Sequence, residues 1–204
     1  MTKISKAKFI VFEGIDGAGC STQSRLLYNF LKEKNLSVEK LRYPDYRSPI
    51  GKIVRQFLYK KHDFPTEIQF FLHFSDFLKD KDKIKNYQKN NKFIVSDRYF
   101  TSSLAYQCLD KSFLKKALKV ASIFDLPKPD LIVYLDVSPK VSMERKYKEK
   151  KFLDRNEADE KFLRKVSGAY KYLIKKNIFG KWITINGERS IKKVFNDIKL
   201  KINI

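Results

Sequence analysis

The sequence has few cysteines, no long apolar run and no metal-ligand pattern. Its two cysteines, Cys20 and Cys108, lack a paired spacing, which argues against a disulfide scaffold or a zinc site and favours a reducing, cytoplasmic location. The two histidines, His62 and His73, have no partner at metal-ligand spacing, and the sequence gives them no role. Because no stretch of about 18 apolar residues occurs, we expect no transmembrane helix and no membrane partner. The apolar run near the N-terminus is about five residues long, which is too short for a signal peptide.

Acidic residues are also few in comparison with basic ones. The chain contains 23 Asp and Glu against 44 Lys and Arg, which gives a net charge of +21. Such a charge suits polyanionic partners, among them nucleic acids and phosphorylated small molecules. Only nine of the 44 basic residues are arginine, however, and arginine is the residue that best reads base edges. A coding sequence rich in A and T would also give a lysine-rich chain. We therefore expect no specific nucleic-acid partner, and a nucleic-acid-binding protein remains a minor alternative.

The pattern of apolar residues predicts an α/β fold in a single domain over residues 1–204. Five short apolar runs alternate with segments of helical length, and these predicted strands cover residues 9–13, 38–42, 93–96, 131–136 and 182–186. Continuous apolar runs are typical of parallel strands that are covered on both faces. Their alternation with helices predicts a three-layer, doubly wound parallel sheet of five strands.

The segments between the strands predict eight helices. They cover residues 21–34, 50–60, 65–86, 102–109, 112–124, 139–148, 157–176 and 191–202. A dense basic cluster at residues 146–155 interrupts the helical pattern. We interpret residues 146–157 as a short mobile lid rather than as a domain boundary.

The sharpest motif follows the first predicted strand and opens the first helix. It consists of Gly14, Ile15, Asp16, Gly17, Ala18, Gly19, Cys20, Ser21 and Thr22. A glycine-rich loop in this position is typical of a P-loop, whose backbone N–H groups surround a phosphate at the helix N-terminus. The Ser21 hydroxyl is expected to reach Mg²⁺. The alternative is a glycine-rich turn that holds no ligand.

One position of this loop departs from the P-loop pattern G-x-x-x-x-G-K-[ST]. Cys20 stands where the lysine is expected, and a neutral thiol cannot supply the positive charge of that lysine. Loss of one preorganised donor typically costs about 10²–10³-fold in rate. Either another cation replaces the lysine, or the chain is a poor enzyme. A nucleophilic role for Cys20 is not expected, because a thiolate would repel phosphate.

Together with the loop, four further segments resemble the thymidylate kinase family. They are RYPDYR at 42–47, DRY with TSSLAYQ at 97–107, LPKPDL at 126–131 and DRNE at 154–157. The resemblance extends over nearly the whole chain. It implies the P-loop kinase fold and transfer of the γ-phosphate from ATP to dTMP, giving dTDP, with Mg²⁺ present. It also implies a homodimer, for which the apolar helix at 70–77 is a candidate surface.

The resemblance also implies a role for individual residues. The catalytic group would be Asp16, Arg98, Lys150 and Arg155. ATP would contact the loop from Gly14 to Thr22 and Arg145, which would lie over the adenine near residues 186–187. Metal ligands would be Ser21 and Asp97. The dTMP site would consist of Asp16, Tyr43, Arg47, Phe74, Arg98, Ser102, Tyr106 and Gln107.

Within the dTMP site, Arg47 and Arg98 would bind the phosphate and Asp16 the sugar 3′-hydroxyl. Phe74 would stack on the base. Each assignment has a simpler alternative: a core position for Phe74, a solvated loop position for Arg47, and a surface charge for Arg145.

Two departures from the family leave alternatives open. Gly17 follows Asp16 where some members carry an arginine, so the lid cations Lys146, Lys148, Lys150 and Lys151 with Arg155 are the candidates to replace the missing charge. Leu78 stands where the family carries an arginine that reads thymine, which leaves the base preference open. A catalytically impaired nucleotide-binding relative is the main alternative function, and a kinase that acts on thymidine itself is a further one.

Overall fold

The computed structural model describes residues 8–149 and 152–203, so the predicted catalytic Lys150 and its neighbour Lys151 lie outside the described residues. The described chain contains one five-stranded sheet. Its strands are β1 (Phe9–Glu13), β2 (Val38–Arg42), β3 (Phe93–Asp97), β4 (Leu131–Asp136) and β5 (Trp182–Asn186). All neighbours are parallel, and the strand order is β2-β3-β1-β4-β5. The predicted α/β fold is confirmed.

Burial along the strands explains why the sheet needs helices on both faces. Every residue of β1 and β3 is buried, and so are the first five residues of β4. Successive side chains of a strand point to opposite faces, so both faces of the central strands are covered. The outer strands β2 and β5 retain exposed residues, as the edges of a sheet do.

Nine helices lie in the described part of the chain. They are α1 (Cys20–Glu33), α2 (Pro49–Leu58), α3 (Thr66–Leu78), α4 (Lys81–Lys89), α5 (Phe100–Tyr106), α6 (Lys111–Ile123), α7 (Pro139–Glu149), α8 (Glu160–Lys175) and α9 (Ile191–Ile202). Helix α1 packs against β1, β2, β3 and α9, while α5 packs against α3 and α8. Among these described helices, none has both the length and the apolar character that a membrane span requires.

The predicted helix at 65–86 is wrong, because the chain breaks between α3 and α4. Asp80 stands at the N-cap position of α4 and accepts a hydrogen bond from the Tyr43 hydroxyl at 3.0 Å. It also forms an ion pair with Lys79 at 2.8 Å. These contacts tie the break to the end of β2. The apolar pattern continues on both sides of the break, so periodicity alone did not reveal it.

Two other helix starts differ from the prediction by more than one residue. Helix α8 begins at Glu160 rather than at 157, because the Asp159 carboxylate accepts a hydrogen bond from the Phe162 amide at 2.9 Å and caps the helix there. Helix α5 begins at Phe100, directly after the end of β3. The carboxyl end of β1 leads through residues 14–19 into α1, and the carboxyl end of β3 leads into α5. This edge of the sheet is where ligands bind in open α/β folds.

Candidate active site

The glycine-rich loop joins β1 to α1 and has the backbone shape that a phosphate site requires. Gly17 and Gly19 have φ angles of 83° and 102°, a region that residues with a Cβ rarely adopt. A Cβ at Gly14 would lie 2.7 Å from the Cβ of Ala18, so the turn also needs glycine there. Within the described chain, no side chain caps the first turn of α1. Its amide groups are therefore available to an anion.

A cleft of about 610 Å³ opens beside this loop at the carboxyl edge of the sheet. It brings together most of the residues that the sequence analysis named. They are Asp16, Gly17, Ala18, Gly19, Cys20, Ser21, Thr22, Tyr43, Asp97, Arg98, Ser102, Tyr106 and Gln107. Residues 15–22 line the cleft together with residues from the ends of β2 and β3, from α2, α3, α5 and α7, and from the segment at 154–157.

Arg98, Asp16 and Tyr106 form a connected polar group in the cleft. The Arg98 guanidinium donates to Asp16 Oδ1 at 2.7 Å, and the Tyr106 hydroxyl donates to Asp16 Oδ2 at 2.9 Å. Burial and the nearby Asp16 raise the pKa of Tyr106, so its hydroxyl keeps the proton that it donates. Arg98 also has a φ of 66°, an unfavourable conformation for a non-glycine residue. Such strain is typical of functional positions that the surrounding structure holds in place.

Glu13 is a buried member of the site that the sequence analysis missed. It ends β1 and accepts hydrogen bonds from the Tyr99 amide at 3.1 Å and from the hydroxyls of Thr101 and Tyr170, each at 2.7 Å. The Ser102 hydroxyl donates at 2.5 Å to Oε2, which also accepts from Tyr170, while Tyr99 and Thr101 donate to Oε1. Burial raises the pKa of Glu13, while Arg98 opposes the rise. Glu13 thus fixes the start of α5 beside Arg98. In the sequence, a carboxylate at the end of an apolar, buried strand could have indicated that Glu13 belongs to the site.

Ser21 and Asp97 lie together, as a shared metal site requires. Burial raises the pKa of the Asp97 carboxyl, while Arg98, Arg42 and the Ser21 hydroxyl oppose the rise. Arg42 Nε lies 3.6 Å from the carboxylate. The parallel register places Arg42 beside Asp97 across β2 and β3. A hydroxyl and a carboxylate suit Mg²⁺, which takes oxygen ligands and keeps waters and substrate phosphates. The described residues contain no cluster of three or more His, Cys, Asp or Glu that could hold a metal without such additional ligands.

Cys20 is buried at the start of α1, with 5% of its surface exposed. Burial raises the pKa of the Cys20 thiol well above its usual value, and the nearby carboxylates of Asp97, Glu13 and Asp16 raise it further. The thiol therefore stays protonated and neutral at physiological pH. The glycine-rich loop therefore has the backbone of a P-loop but lacks the lysine cation that a P-loop normally carries.

Arg47 is a predicted site residue that the structure does not bring to the cleft, so its contact with the phosphate stays a prediction. Its side chain is 96% exposed and forms an ion pair with Asp45 at 3.5 Å, and it does not line the cleft. Tyr46 lines the cleft instead. The reason is the buried Asp76 carboxylate, which accepts from the Asp45 amide at 2.8 Å and from the Ser48 hydroxyl at 3.2 Å. These bonds fix the turn at 45–48 with Tyr46 facing inward.

Phe74 also lies away from the cleft. Only 2% of its surface is exposed, and its ring stacks on Phe70 with centroids 5.7 Å apart, beside Phe100 and Phe124. The residues of α3 that do line the cleft are His73 and Phe77. Phe74 therefore occupies a core position in the structure, as the simpler alternative for this residue stated. Leu78 likewise packs against the core.

The His73 ring is neutral and has no protein partner in the part of the chain that the structure describes. Burial, with a further contribution from the nearby Arg98, lowers the pKa of His73 to about 4. No hydrogen bond joins the imidazole to any described residue, although the ring lines the cleft. One donor and one acceptor of this ring are therefore available to a ligand. The sequence alone indicates no role for His73, because the residue has no partner at metal-ligand spacing.

Arg155 and Arg145 stand outside the cleft in different ways. The Arg155 guanidinium pairs with Asp63 at 2.7 Å and lies 4.0 Å from the Phe57 ring centroid, so it anchors the lid segment to α2 rather than facing the phosphate loop. The structure does not bring Arg155 to the cleft, and its catalytic role stays a prediction. Arg145 donates to the Gly187 carbonyl at 2.9 Å and to the Gly17 carbonyl at 3.4 Å. The structure thus joins Arg145 to the segment at 186–187, as the adenine prediction requires.

Comparison with known proteins agrees with this architecture. The family model described as Thymidylate kinase matches residues 12–198. A thymidylate kinase of Plasmodium falciparum is 31% identical over 95% of this chain and 88% of that protein. One from Fervidobacterium nodosum is 34% identical over 93% of this chain and 95% of that protein. A probable thymidylate kinase of Methanobrevibacter smithii is 37% identical, with 94% and 92% covered. Since the family model and these relatives span almost the whole chain, the chain belongs to the thymidylate kinase family.

Proposed function

We propose that this chain is a dTMP kinase that transfers the γ-phosphate of ATP to dTMP and releases ADP and dTDP. One observation carries the proposal: the phosphate loop and the group of Arg98, Asp16 and Tyr106 share a single cleft of about 610 Å³. A phosphate donor and a phosphate acceptor can therefore meet in it. Catalysis of phosphoryl transfer consists mainly of positioning and charge stabilisation, which these groups supply.

The donor side of the cleft holds ATP through backbone groups. The amides of Gly17 to Thr22 and the N-terminus of α1 surround the β-phosphate. Arg145 and the backbone at Gly187 contact the adenine. The bond from Arg145 to the Gly187 carbonyl supports this assignment, because it holds the two groups side by side above the loop.

The acceptor side holds dTMP through side chains. Arg98 binds the acceptor phosphate, since its planar guanidinium matches two phosphate oxygens. Asp16, held by Tyr106, accepts a hydrogen bond from the sugar 3′-hydroxyl. Tyr43 and Gln107 line the space beside them. Ser102, fixed by Glu13, keeps Arg98 in position through a contact of 3.3 Å.

The base lies against α3, where His73 and Phe77 form the wall. Thymine presents an acceptor at O4, to which a neutral imidazole can donate. The unpartnered His73 ring supports this contact, and Phe77 supplies an apolar surface. In this proposal His73 takes the part that an arginine at Leu78 would have played.

Three further features complete the proposal. Ser21 and Asp97 hold Mg²⁺, which neutralises phosphate charge during transfer. Residues 146–157 close over the single domain as a lid and exclude water, which would otherwise hydrolyse ATP. The active protein is cytoplasmic, which its two free, buried cysteines support.

We also propose a homodimer that forms through the outer face of α3. Ile68 and Phe71 are 44% and 48% exposed on that helix. Ile123 and Phe124 add exposed apolar surface close to it in space, since the Phe124 ring centroid lies 5.7 Å from that of Phe74. Phe70, Phe74 and Phe77 of the same helix are buried and belong to the core. A patch of this kind on one face suits a two-fold interface. Sedimentation of the wild type and of Phe71→Glu tests it: a dimer that dissociates in the variant is expected.

The function is tested by a coupled assay of ADP release with ATP, Mg²⁺ and one acceptor at a time. The acceptors are dTMP, dUMP, UMP, CMP and thymidine. We expect turnover with dTMP to exceed that with each of the others. Binding of ATP and dTMP without turnover would identify an impaired nucleotide-binding relative, which is the alternative function that Cys20 in place of the lysine favours. Turnover of thymidine would identify a nucleoside kinase.

A further inference from the structure

The phosphate loop lacks a cation at two of its positions. Cys20 is neutral and buried, and Gly17 has no side chain. Backbone amides alone do not supply the full charge that normally faces a transferred phosphate. A functioning site of this kind therefore needs a cation that reaches the loop from elsewhere in the fold.

Helix α7 packs directly on the loop. The Ser142 hydroxyl donates a short hydrogen bond to the Asp16 carbonyl, and Arg145 reaches the Gly17 carbonyl. A Cβ at Gly17 would lie 2.6 Å from the Ser142 carbonyl oxygen and 3.3 Å from Cγ of Lys146. The Lys146 stem thus occupies the space beside Gly17 that a side chain of the loop itself would need.

The Lys146 ammonium lies in the cleft and is charged. Its Nζ pairs with Glu149 at 2.6 Å and with Glu157 at 3.5 Å, and its side chain is 20% exposed. Burial alone would lower the pKa of Lys146, but Glu149, Glu157 and Asp16 raise it above its usual value. Glu149 is itself largely exposed, so a phosphate can replace it as the partner of Lys146 at little cost.

The other Lys and Arg residues that line the cleft in the described chain lie on elements other than α7. Arg42 pairs with Asp97, and Arg98 is bonded to Asp16 and Ser102 on the acceptor side. Arg55 stands on α2 near the Tyr59 ring. Lys146 is the one that belongs to the helix packed on the phosphate loop.

We propose that Lys146 is the catalytic cation that replaces the missing P-loop lysine, an inference that rests on the proposed kinase function. In the transfer step an oxygen of the acceptor phosphate forms a bond to the γ-phosphorus, and the bond from that phosphorus to the β,γ-bridging oxygen breaks. ADP leaves with the electron pair of that bond. Lys146 moves from Glu149 to the γ-phosphate and stabilises the negative charge without forming a bond.

The first test compares Lys146→Met with Lys140→Met, which removes an exposed lysine near the start of the same helix α7. We expect Lys146→Met to lower kcat with dTMP by about 10²-fold or more, with KM for dTMP changed less, and Lys140→Met to stay within about twofold. Thermal unfolding of both variants identifies a general loss of folding. Equal kcat values for the wild type and folded Lys146→Met would overturn the proposal.

The second test asks whether a lysine in the loop can restore the loss. Adding Cys20→Lys to Lys146→Met should return kcat to within about tenfold of the wild type, because both side chains serve the same phosphate. A merely structural role of Lys146 on α7 would not be rescued in this way. A folded double variant with no recovery would contradict the proposal.

The third test measures binding and does not depend on turnover. Calorimetry with ADP and with a non-hydrolysable ATP analogue gives the contribution of the γ-phosphate in each protein. Lys146→Met should weaken the analogue by about tenfold or more while ADP binding changes little. Equal weakening of both ligands would overturn the Lys146 assignment. A wild type that shows the γ-phosphate effect but never forms dTDP would instead refute the proposed function alone.

Discussion

The two ends of the cleft are built differently, and they differ in how well a sequence motif describes them. At the donor end the ligand contacts are backbone amides, and three of the seven glycines of the chain lie between residues 14 and 19 to shape them. At the acceptor end the contacts are side chains on helices and turns. Loss of the loop lysine leaves the backbone of the phosphate loop intact. At the acceptor end, in contrast, an offset of one position along the chain changes which side chain contacts the ligand.

Two neighbouring pairs illustrate this offset. Arg47 is exposed while Tyr46 lines the cleft, and Phe74 is in the core while His73 lines the cleft. In helix α3, successive residues differ in direction by about 100°, so an offset of one position moves a side chain to another face. In the turn at 45–48, the bonds to Asp76 determine which side chain faces the cleft. Matched variants within each pair therefore test whether the acceptor end is arranged as described.

The largest expected effect comes from Arg98. Arg98→Ala should lower kcat/KM for dTMP by about 10²–10³-fold, because it removes the charge-assisted contact to the acceptor phosphate. ATP binding should change much less. Steady-state kinetics with each substrate varied in turn provides the measurement.

Arg47→Ala is the matched control for Arg98. Because its exposed ion pair with Asp45 contributes little to stability, kcat/KM for dTMP should stay within about threefold. If Arg47→Ala and Arg98→Ala caused equal losses, Arg47 would also bind the phosphate, and the turn at 45–48 would have to rearrange on binding.

The next effect concerns the hydroxyl at the start of α1. Ser21→Ala should raise the Mg²⁺ concentration needed for half-maximal rate by about tenfold, since a partner of the ion is lost. Ser24→Ala removes a buried hydroxyl from the same helix and should leave that concentration unchanged. A titration of free Mg²⁺ at fixed ATP separates the two, and identical curves would remove Ser21 from the metal site.

A smaller effect is expected at the base. His73→Ala should raise KM for dTMP by about 3–10-fold through loss of a neutral hydrogen bond, with KM for ATP unchanged. Phe74→Leu should instead lower the unfolding free energy by about 1–3 kcal/mol and leave KM for dTMP within about twofold. Kinetics together with urea unfolding of both variants checks the contrast. The opposite pattern would mean that Phe74 is the residue that meets the base.

The smallest effect is on the pH dependence of stability. The pKa of His73 is about 4 in the folded protein, below its ordinary value of 6.5, so the unfolded chain binds more protons between these pH values. Stability contributed by the neutral ring is present above pH 6.5 and is lost as the pH falls toward 4. His73→Gln should therefore lose less stability than the wild type between pH 7 and pH 5 in urea unfolding. Parallel losses would show that His73 titrates normally.

The sequence predicted the parts of the molecule that local patterns determine. The apolar runs defined β1, β2, β4 and β5 with the bounds that the structure has, and the glycines defined the phosphate loop. The parts that it did not predict depend on contacts between distant residues. Asp76 sets the turn that directs Tyr46 inward, Asp63 holds Arg155 away from the cleft, and Tyr43 bonds Asp80 at the break between α3 and α4. No local pattern reports such contacts.

The most direct test of the account is a crystal structure of the protein with ADP, Mg²⁺ and dTMP bound. We expect the β-phosphate of ADP among the amides of Gly17 to Thr22, Arg98 on the dTMP phosphate, and the His73 ring at the base. Arg47 should remain in solvent and Phe74 in the core. A complex in which Arg47 holds the phosphate and Phe74 stacks on the base would contradict the arrangement of the acceptor end.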